Sequence, residues 1–184
     1  MYGLVNQAMQ DLVVARHGQE TWDRIRAAAN VPHERFAAMT AYDDAVTYRL
    51  VGVASEVLDV PVPELLHAFG RYWVQYTASA GYGRLLTMAG DDLPTFLSQL
   101  DALHARVGLT CPELRPPGFR VDRDGDDLVL HYWSDRPGLA PMVVGLIEGL
   151  GERFGTPVAA TLERSRADGA DHDVFRIRTA APGP

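Results

Sequence analysis

Lysine is absent from the 184 residues: all 17 cationic side chains are arginines, set against 24 acidic ones, for a formal net charge of −7. So acidic a chain has no broad basic face, which argues against nucleic acid and anionic membranes as ligands. A single cysteine, Cys111, excludes an intramolecular disulfide and a cysteine-rich zinc or iron–sulfur centre. Long apolar runs are missing too, since no stretch approaches the roughly 20 apolar residues that a membrane helix needs. The opening Met1–Met9 lacks the basic segment and apolar run of a secretory signal. These absences predict a cytoplasmic protein with no membrane and no nucleic-acid partner. The length suffices for one domain with a real core, expected over 1–180, with 181–184 as a short tail.

What is present begins with helical spacing. Leu4, Val5, Ala8, Met9, Leu12 and Val13 predict a helix over 2–17 that stops at Gly18. Trp22 and Ile25 centre a short helix over 19–29, and Asp43 or Asp44 can cap another reaching about residue 58. After Pro61 and Pro63, the aromatic-rich stretch 63–79 carries Phe69, Tyr72, Trp73 and Tyr76. Pro94 belongs in the first turn of a helix running to about 107. Pro116-Pro117-Gly118 cannot continue a helix, so 111–118 is a loop. Alternation then predicts a hairpin of 119–123 with a strand from 127, turning at Asp124-Gly125. A helix over 139–154 and strands over 157–165 and 173–179 complete the chain. This order is α+β: a mainly helical N-terminal two-thirds packed on a C-terminal antiparallel sheet of about four strands with one long helix.

Two places carry chemistry. In the helix over 94–107, His104 falls on the apolar stripe of Phe96, Leu97, Leu100, Leu103 and Val107, so it should point inward. A buried histidine resists protonation and sits as neutral imidazole, the form that binds iron; the same pattern also fits a core histidine satisfied by one backbone carbonyl. In the strand from 127, whose alternation extends to 136, Tyr132, Ser134 and Arg136 share a face, each roughly 7 Å from the next. A phenol, a hydroxyl and a guanidinium in a row suit an amphipathic ligand with carboxylates at its rim, because arginine grips a carboxylate bidentately. A strand end entering solvent, with Arg136 paired to an acidic neighbour, reads equally well.

Taken together, an inward histidine and Tyr-x-Ser-x-Arg 28 residues further on resemble the haem-nitric oxide/oxygen binding (H-NOX) family, which includes the haem domain of soluble guanylate cyclase. The likeness covers nearly the whole chain. Met1-Tyr-Gly-Leu-Val-Asn, Gly18-Gln-Glu-Thr-Trp22, Glu64–Tyr72, Leu100-Asp-Ala-Leu-His104, Gly145-Leu-Ile-Glu-Gly149 and Gly169-Ala-Asp-His172 all fall in family order. The resemblance implies one haem b, a ferrous iron protoporphyrin IX, lying between the halves. Its iron is held by His104 and its propionates by Tyr132, Ser134 and Arg136. Pro117, with Pro116 as its neighbouring alternative, matches the family proline that presses on the porphyrin. Relatives often carry cysteine after the Gly-Ala-Asp-His turn; Asp173 stands there instead, so no thiol or zinc chemistry carries over.

The resemblance also implies gas sensing. Oxygen-binding relatives place a tyrosine just before the Gly-Leu-Ile-Glu-Gly run, where this chain has Met142. Bound dioxygen gains roughly 1.5–3 kcal/mol from a donor, and an apolar distal wall of Leu4, Val5, Met9, Met142 and Leu146 would withhold it. Tyr76 or Gln75 is the remaining donor candidate. The expectation is a sensor of nitric oxide, also binding carbon monoxide, with weak or no oxygen binding. Nitric oxide would weaken the bond from His104 and shift the helical half. The signal would pass to a separate histidine kinase or cyclic-di-nucleotide enzyme. A haem-free regulator taking another amphipathic acid is the alternative. An enzyme is not expected: His17, His33, His67, His131 and His172 have no acid, nucleophile or metal partner at motif spacing, and Asp171-His172-Asp173 reads as a solvated strand entry before a metal site. Cys111 lacks the basic partner that would activate it.

Overall fold

The structure, a computed structural model, describes residues 1–79, 83–111 and 113–179. The tail expected at 181–184 lies outside the described residues. The chain divides into two compact units, residues 1–69 and residues 70–184.

The first unit holds α1 (Gly3–His17), α2 (Gln19–Ala28), α3 (Asp44–Leu58) and the start of α4 (Val62–Thr77). Gly18, at φ 84°, ends α1 where glycine was expected to stop it. Asp43 caps α3, its carboxylate accepting from the Ala45 amide. Trp22, Ile25, Phe36 and Leu50 are fully buried. Buried too is Asn6, whose amide oxygen accepts from the Thr47 hydroxyl at 2.8 Å. The start of α1 docks on a loop through Gly3 N to the Thr40 carbonyl at 2.8 Å and Leu4 N to the Ala38 carbonyl at 3.0 Å. A Cβ on residue 3 would stand 2.1 Å from the Ala37 oxygen, so only glycine permits that approach.

The second unit contains α5 (Gly83–Met88), α6 (Leu93–Ser98), α7 (Leu100–Thr110), β1 (Gly118–Asp124), β2 (Asp127–Trp133), α8 (Ala140–Arg153), β3 (Val158–Arg164) and β4 (Asp173–Thr179). The four strands form one antiparallel sheet in the order β1-β2-β4-β3. One face of the sheet supplies Leu128, Leu130, Tyr132, Phe175 and Ile177 to a core shared with Val143, Ile147 and Leu150 of α8 and with Phe96, Leu97, Leu100 and Leu103. Burial of each aliphatic member is worth about 1.5–3 kcal/mol. At Gly70, midway along α4, the helix meets α8 backbone to backbone, for a Cβ there would lie 2.2 Å from the Met142 carbonyl oxygen.

The expected α+β architecture is therefore present, with five local differences. The division between units falls inside α4, so α5, α6 and α7 join the sheet. The single helix expected over 94–107 is two helices, α6 and α7, broken at Gln99. β2 ends at Trp133, short of 136, because the chain bends at Asp135 and Arg136 to enter α8. The hairpin turns on Gly125-Asp126, one residue later than expected, with Asp124 paired to Asp127 and Gly125 at φ 62°. α5 was not foreseen, since six residues are too few for a helical period to show.

Candidate cofactor site

α7 places His104 one turn after Leu100. Its Nδ1–H donates to the Leu100 carbonyl at 2.8 Å, which fixes the tautomer and leaves Nε2 with its lone pair. The ring is half-buried. Burial lowers its pKa from the ordinary value, against the Leu100 hydrogen bond and the Asp101 carboxylate. The neutral imidazole is thus the favoured form.

Phe119, the second residue of β1, lies beside it at 4.9 Å between ring centroids, and its other side meets Tyr132 at 5.5 Å. Asp101, in the first turn of α7, accepts from the Phe119 amide at 3.1 Å. That bond pins the end of the proline loop to the helix that carries His104. Pro117 is half-buried in this loop and Pro116 exposed. Phe119 and Asp101 escaped sequence reasoning. The inward position of Phe119 on the hairpin was the available signal; the reach of Asp101 to a strand amide had none.

Tyr132, 6% exposed, projects from β2 into the core. Burial raises the phenol's pKa, with its hydrogen bond to Ser134 and the Arg136 guanidinium pulling the other way. It remains a neutral donor. Ser134 and Arg136 do not continue the strand face, as alternation had suggested. They reach Tyr132 through the bend instead, where the Arg136 amide donates to Ser134 Oγ at 3.1 Å. The Arg136 guanidinium donates to the Arg115 carbonyl at 2.9 Å and so holds the proline loop as well. A cleft of about 270 Å³ opens beside Ser134, lined in part by Arg115, Pro116, Gly118 and Arg166.

The remaining candidates are distributed. Leu4 and Val5 are half-buried and Met9 buried on α1, in the first unit; Met142 and Leu146 are half-buried on α8, in the second. Tyr76 is half-buried and Gln75 exposed on α4. Among the described residues no group of three or more histidine, cysteine, aspartate or glutamate side chains is arranged for a metal ion. One imidazole with a fixed tautomer beside a phenol–hydroxyl–guanidinium cluster fits a metal that arrives in its own carboxylate-bearing macrocycle. Among the described residues no helix is long and apolar enough to cross a membrane.

Fold and site together define a class: an α+β domain that presents one neutral imidazole alongside a tyrosine–serine–arginine cluster suited to carboxylates. Within that class, the chain belongs to the Haem-NO-binding family (HNOB), whose model matches residues 2–162. It is 31% identical over 192 residues to soluble guanylate cyclase gcy-35 of Caenorhabditis elegans, an alignment covering 96% of this chain and 27% of that one. Against guanylate cyclase soluble subunit beta-2 of Rattus norvegicus it is 37% identical over 120 residues, covering 61% of this chain and 18% of the relative. The chain thus spans about a quarter or less of the length of these two cyclases. Solved structures share the H-NOX fold. An H-NOX protein from S. oneidensis in the Fe(II)NO state gives a TM-score of 0.89 at 20% identity, covering 98% of this chain and 100% of the other. The Fe(II) unliganded H-NOX protein from K. algicida gives 0.86 at 23% identity, covering 99% and 98%.

Proposed function

We propose that the chain is a haem-based gas-sensing domain that binds nitric oxide, and carbon monoxide, at one ferrous haem b and signals to a separate partner protein. The observation that carries the proposal is the pairing of His104, its Nε2 left free by the Leu100 bond, with the hydrogen-bonded set of Tyr132, Ser134 and Arg136. When bound, ferrous haem supplies an open coordination position for a diatomic gas. His104 would hold the metal through Nε2, and Tyr132, Ser134 and Arg136 would hold the propionates. Pro117, tied close to His104 by the Asp101–Phe119 bond, would press on the macrocycle from the same side.

Oxygen should bind weakly. The Met142 side chain offers no N–H or O–H at the position where oxygen-binding relatives are expected to carry tyrosine, so that position would leave the partial charge on bound dioxygen unmet, with Tyr76 or Gln75 as the remaining donor candidate. The partner would be a histidine kinase or a cyclic-di-nucleotide enzyme reading the surface that changes when gas binds. Absorption spectra of the reduced, haem-reconstituted chain under nitric oxide, carbon monoxide and air test this. A Soret band with both adducts and no stable oxy form is the expected result. No Soret band after reconstitution would hand the site to a different amphipathic acid, and a stable oxy spectrum would overturn the selectivity.

A further inference from the structure

Because side chains alternate along β2, His131 and Trp133 leave the sheet on the face opposite Tyr132. There they meet Arg120 and Asp122 from β1, and Asp171 and His172 from the turn before β4. His131 Nδ1 is 2.7 Å from His172 Nε2, and His172 Nδ1 is 2.7 Å from Asp171 Oδ1. His131 Nε2 lies 3.0 Å from Asp122 Oδ2 and 3.3 Å from an Arg120 guanidinium nitrogen. Trp133 stacks on His172 at 4.3 Å, and Arg120 stands 5.9 Å above the indole. The two histidine side chains are only 15% and 12% exposed.

Donor and acceptor rules fix the direction of this chain when both rings are neutral. Asp171 can only accept, so His172 donates from Nδ1 and its Nε2 accepts from His131 Nδ1–H. His131 Nε2 then accepts from Arg120. A first added proton goes to His131 Nε2, which turns from Arg120 to donate to Asp122. A second would have to sit on His172 Nε2, setting two N–H groups head to head at the 2.7 Å separation between two positive rings. The pair therefore tolerates one proton and opens with two.

The same turn holds the cofactor site from behind. Tyr132 pairs with Asp173 in the β2–β4 ladder, Asp173 accepts from the Arg166 amide at 2.8 Å, and the Arg166 guanidinium donates to the Ser134 carbonyl. We propose that the His131–His172 pair is an acid-sensitive positioning element, which keeps Tyr132 and Ser134 in place while it is closed and loosens them when it opens. The proposal rests on the reading above that these two residues hold the haem carboxylates. Burial, and then the Arg120 guanidinium, lower the His131 pKa from its ordinary value, with Asp122 opposing and His172 adding to the lowering. A folded-state value below the unfolded one gives stability that is fully present above the ordinary histidine pKa of about 6.5. That stability is lost as pH falls through the depressed folded value.

The test uses the full chain with His131→Asn and His172→Gln. Asparagine keeps a donor where Nδ1–H stood, glutamine keeps an acceptor where Nε2 stood, and neither titrates. Imidazole nitrogen NMR of the wild type should show the His172 ring nitrogens responding when His131 takes up its proton, with the Tyr132 and Ser134 amide shifts following the same midpoint. The His172→Gln variant should lose that movement. Haem transfer from the loaded chain to excess apo-globin should be about tenfold faster at about pH 5.5 than at about pH 7.5, the size expected for breaking one buried hydrogen-bonded tie. His172→Gln, which cannot set two N–H groups face to face, should match the wild type at the higher pH and stay slow at the lower. An acid effect of equal size in both variants would belong to His104 and overturn the proposal, as would Tyr132 and Ser134 amides that ignore the pair. The NMR arm reads the chain without haem, so a chain that takes up no haem sinks the function proposed above and leaves the coupling of the pair to Tyr132 and Ser134 separately decided.

Discussion

At His104 the decisive detail is one hydrogen bond. Donation from Nδ1 to Leu100 leaves the other nitrogen unprotonated, with the lone pair that the proposed iron ligand needs. His104→Gly should therefore abolish haem retention, and added free imidazole should restore it, read as loss and return of the Soret band. Arg136 holds the Arg115 carbonyl and, under the function proposed above, would also hold a propionate. Losing a bond to a charged acceptor costs about 1.5–3 kcal/mol, so Arg136→Ala should raise the rate of haem loss roughly 10- to 100-fold. Arg136→Lys, with charge but no fork, should fall between the two. Met142→Tyr supplies a donor of the kind the apolar residue withholds; an oxygen affinity higher by about one to two orders of magnitude is expected, measured as a stable oxy spectrum in air. The inward placement of His104 and Tyr132 was legible because each follows apolar residues on a periodic helix stripe or an alternating strand face. Asp101 and Phe119 were not, because their importance lies in a contact between segments 18 residues apart that no period encodes.

Elements were legible where they are long and end on a strong signal. Gly18, Asp43 and the Asp92–Pro94 pair mark boundaries that backbone chemistry enforces: a positive φ, and carboxylates that take the first free amides. The break at Gln99 was hidden because Leu97, Leu100 and Leu103 keep nearly helical spacing across it, and all three are buried in the same core. The end of β2 was hidden for the opposite reason. Alternation persists in the sequence through Arg136 although the backbone has already bent, and Ser134 and Arg136 reach the site by a local amide-to-hydroxyl bond. The docking of α1 gives a test at this scale. Any side chain at residue 3 collides with the Ala37 carbonyl, which sits on the same loop that accepts from the residue 3 and residue 4 amides. Gly3→Ala must push that loop away and strain both bonds. A loss of about 1–3 kcal/mol is expected, as for other overpacked sites, seen in urea unfolding. An unchanged midpoint would mean the loop yields freely and does not anchor the helix.

For the molecule as a sensor, occupancy of the site must change something a partner can touch, and a ligand moves an equilibrium only by its difference in affinity for the two states. If His104 holds the iron as proposed, α7 would be the first element to feel such a difference. The helix is tied to β1 through Asp101, its first turn packs Leu100 and Leu103 into the core, and its last turn leaves Leu109 84% exposed. Under the function proposed above, nitric oxide would loosen the hold of His104 on the metal, and carbon monoxide would serve as the comparison gas. If the hold on His104 slackens, α7 loses one of its anchors while β3 and β4, joined to each other by their own ladder, keep theirs. Amide exchange on the haem-loaded chain should then be faster over 100–110 and 113–119 under nitric oxide than under carbon monoxide, and equal over 158–164 and 173–179. Identical exchange along α7 in the two gases would show that the signal leaves the site by some route other than the histidine helix.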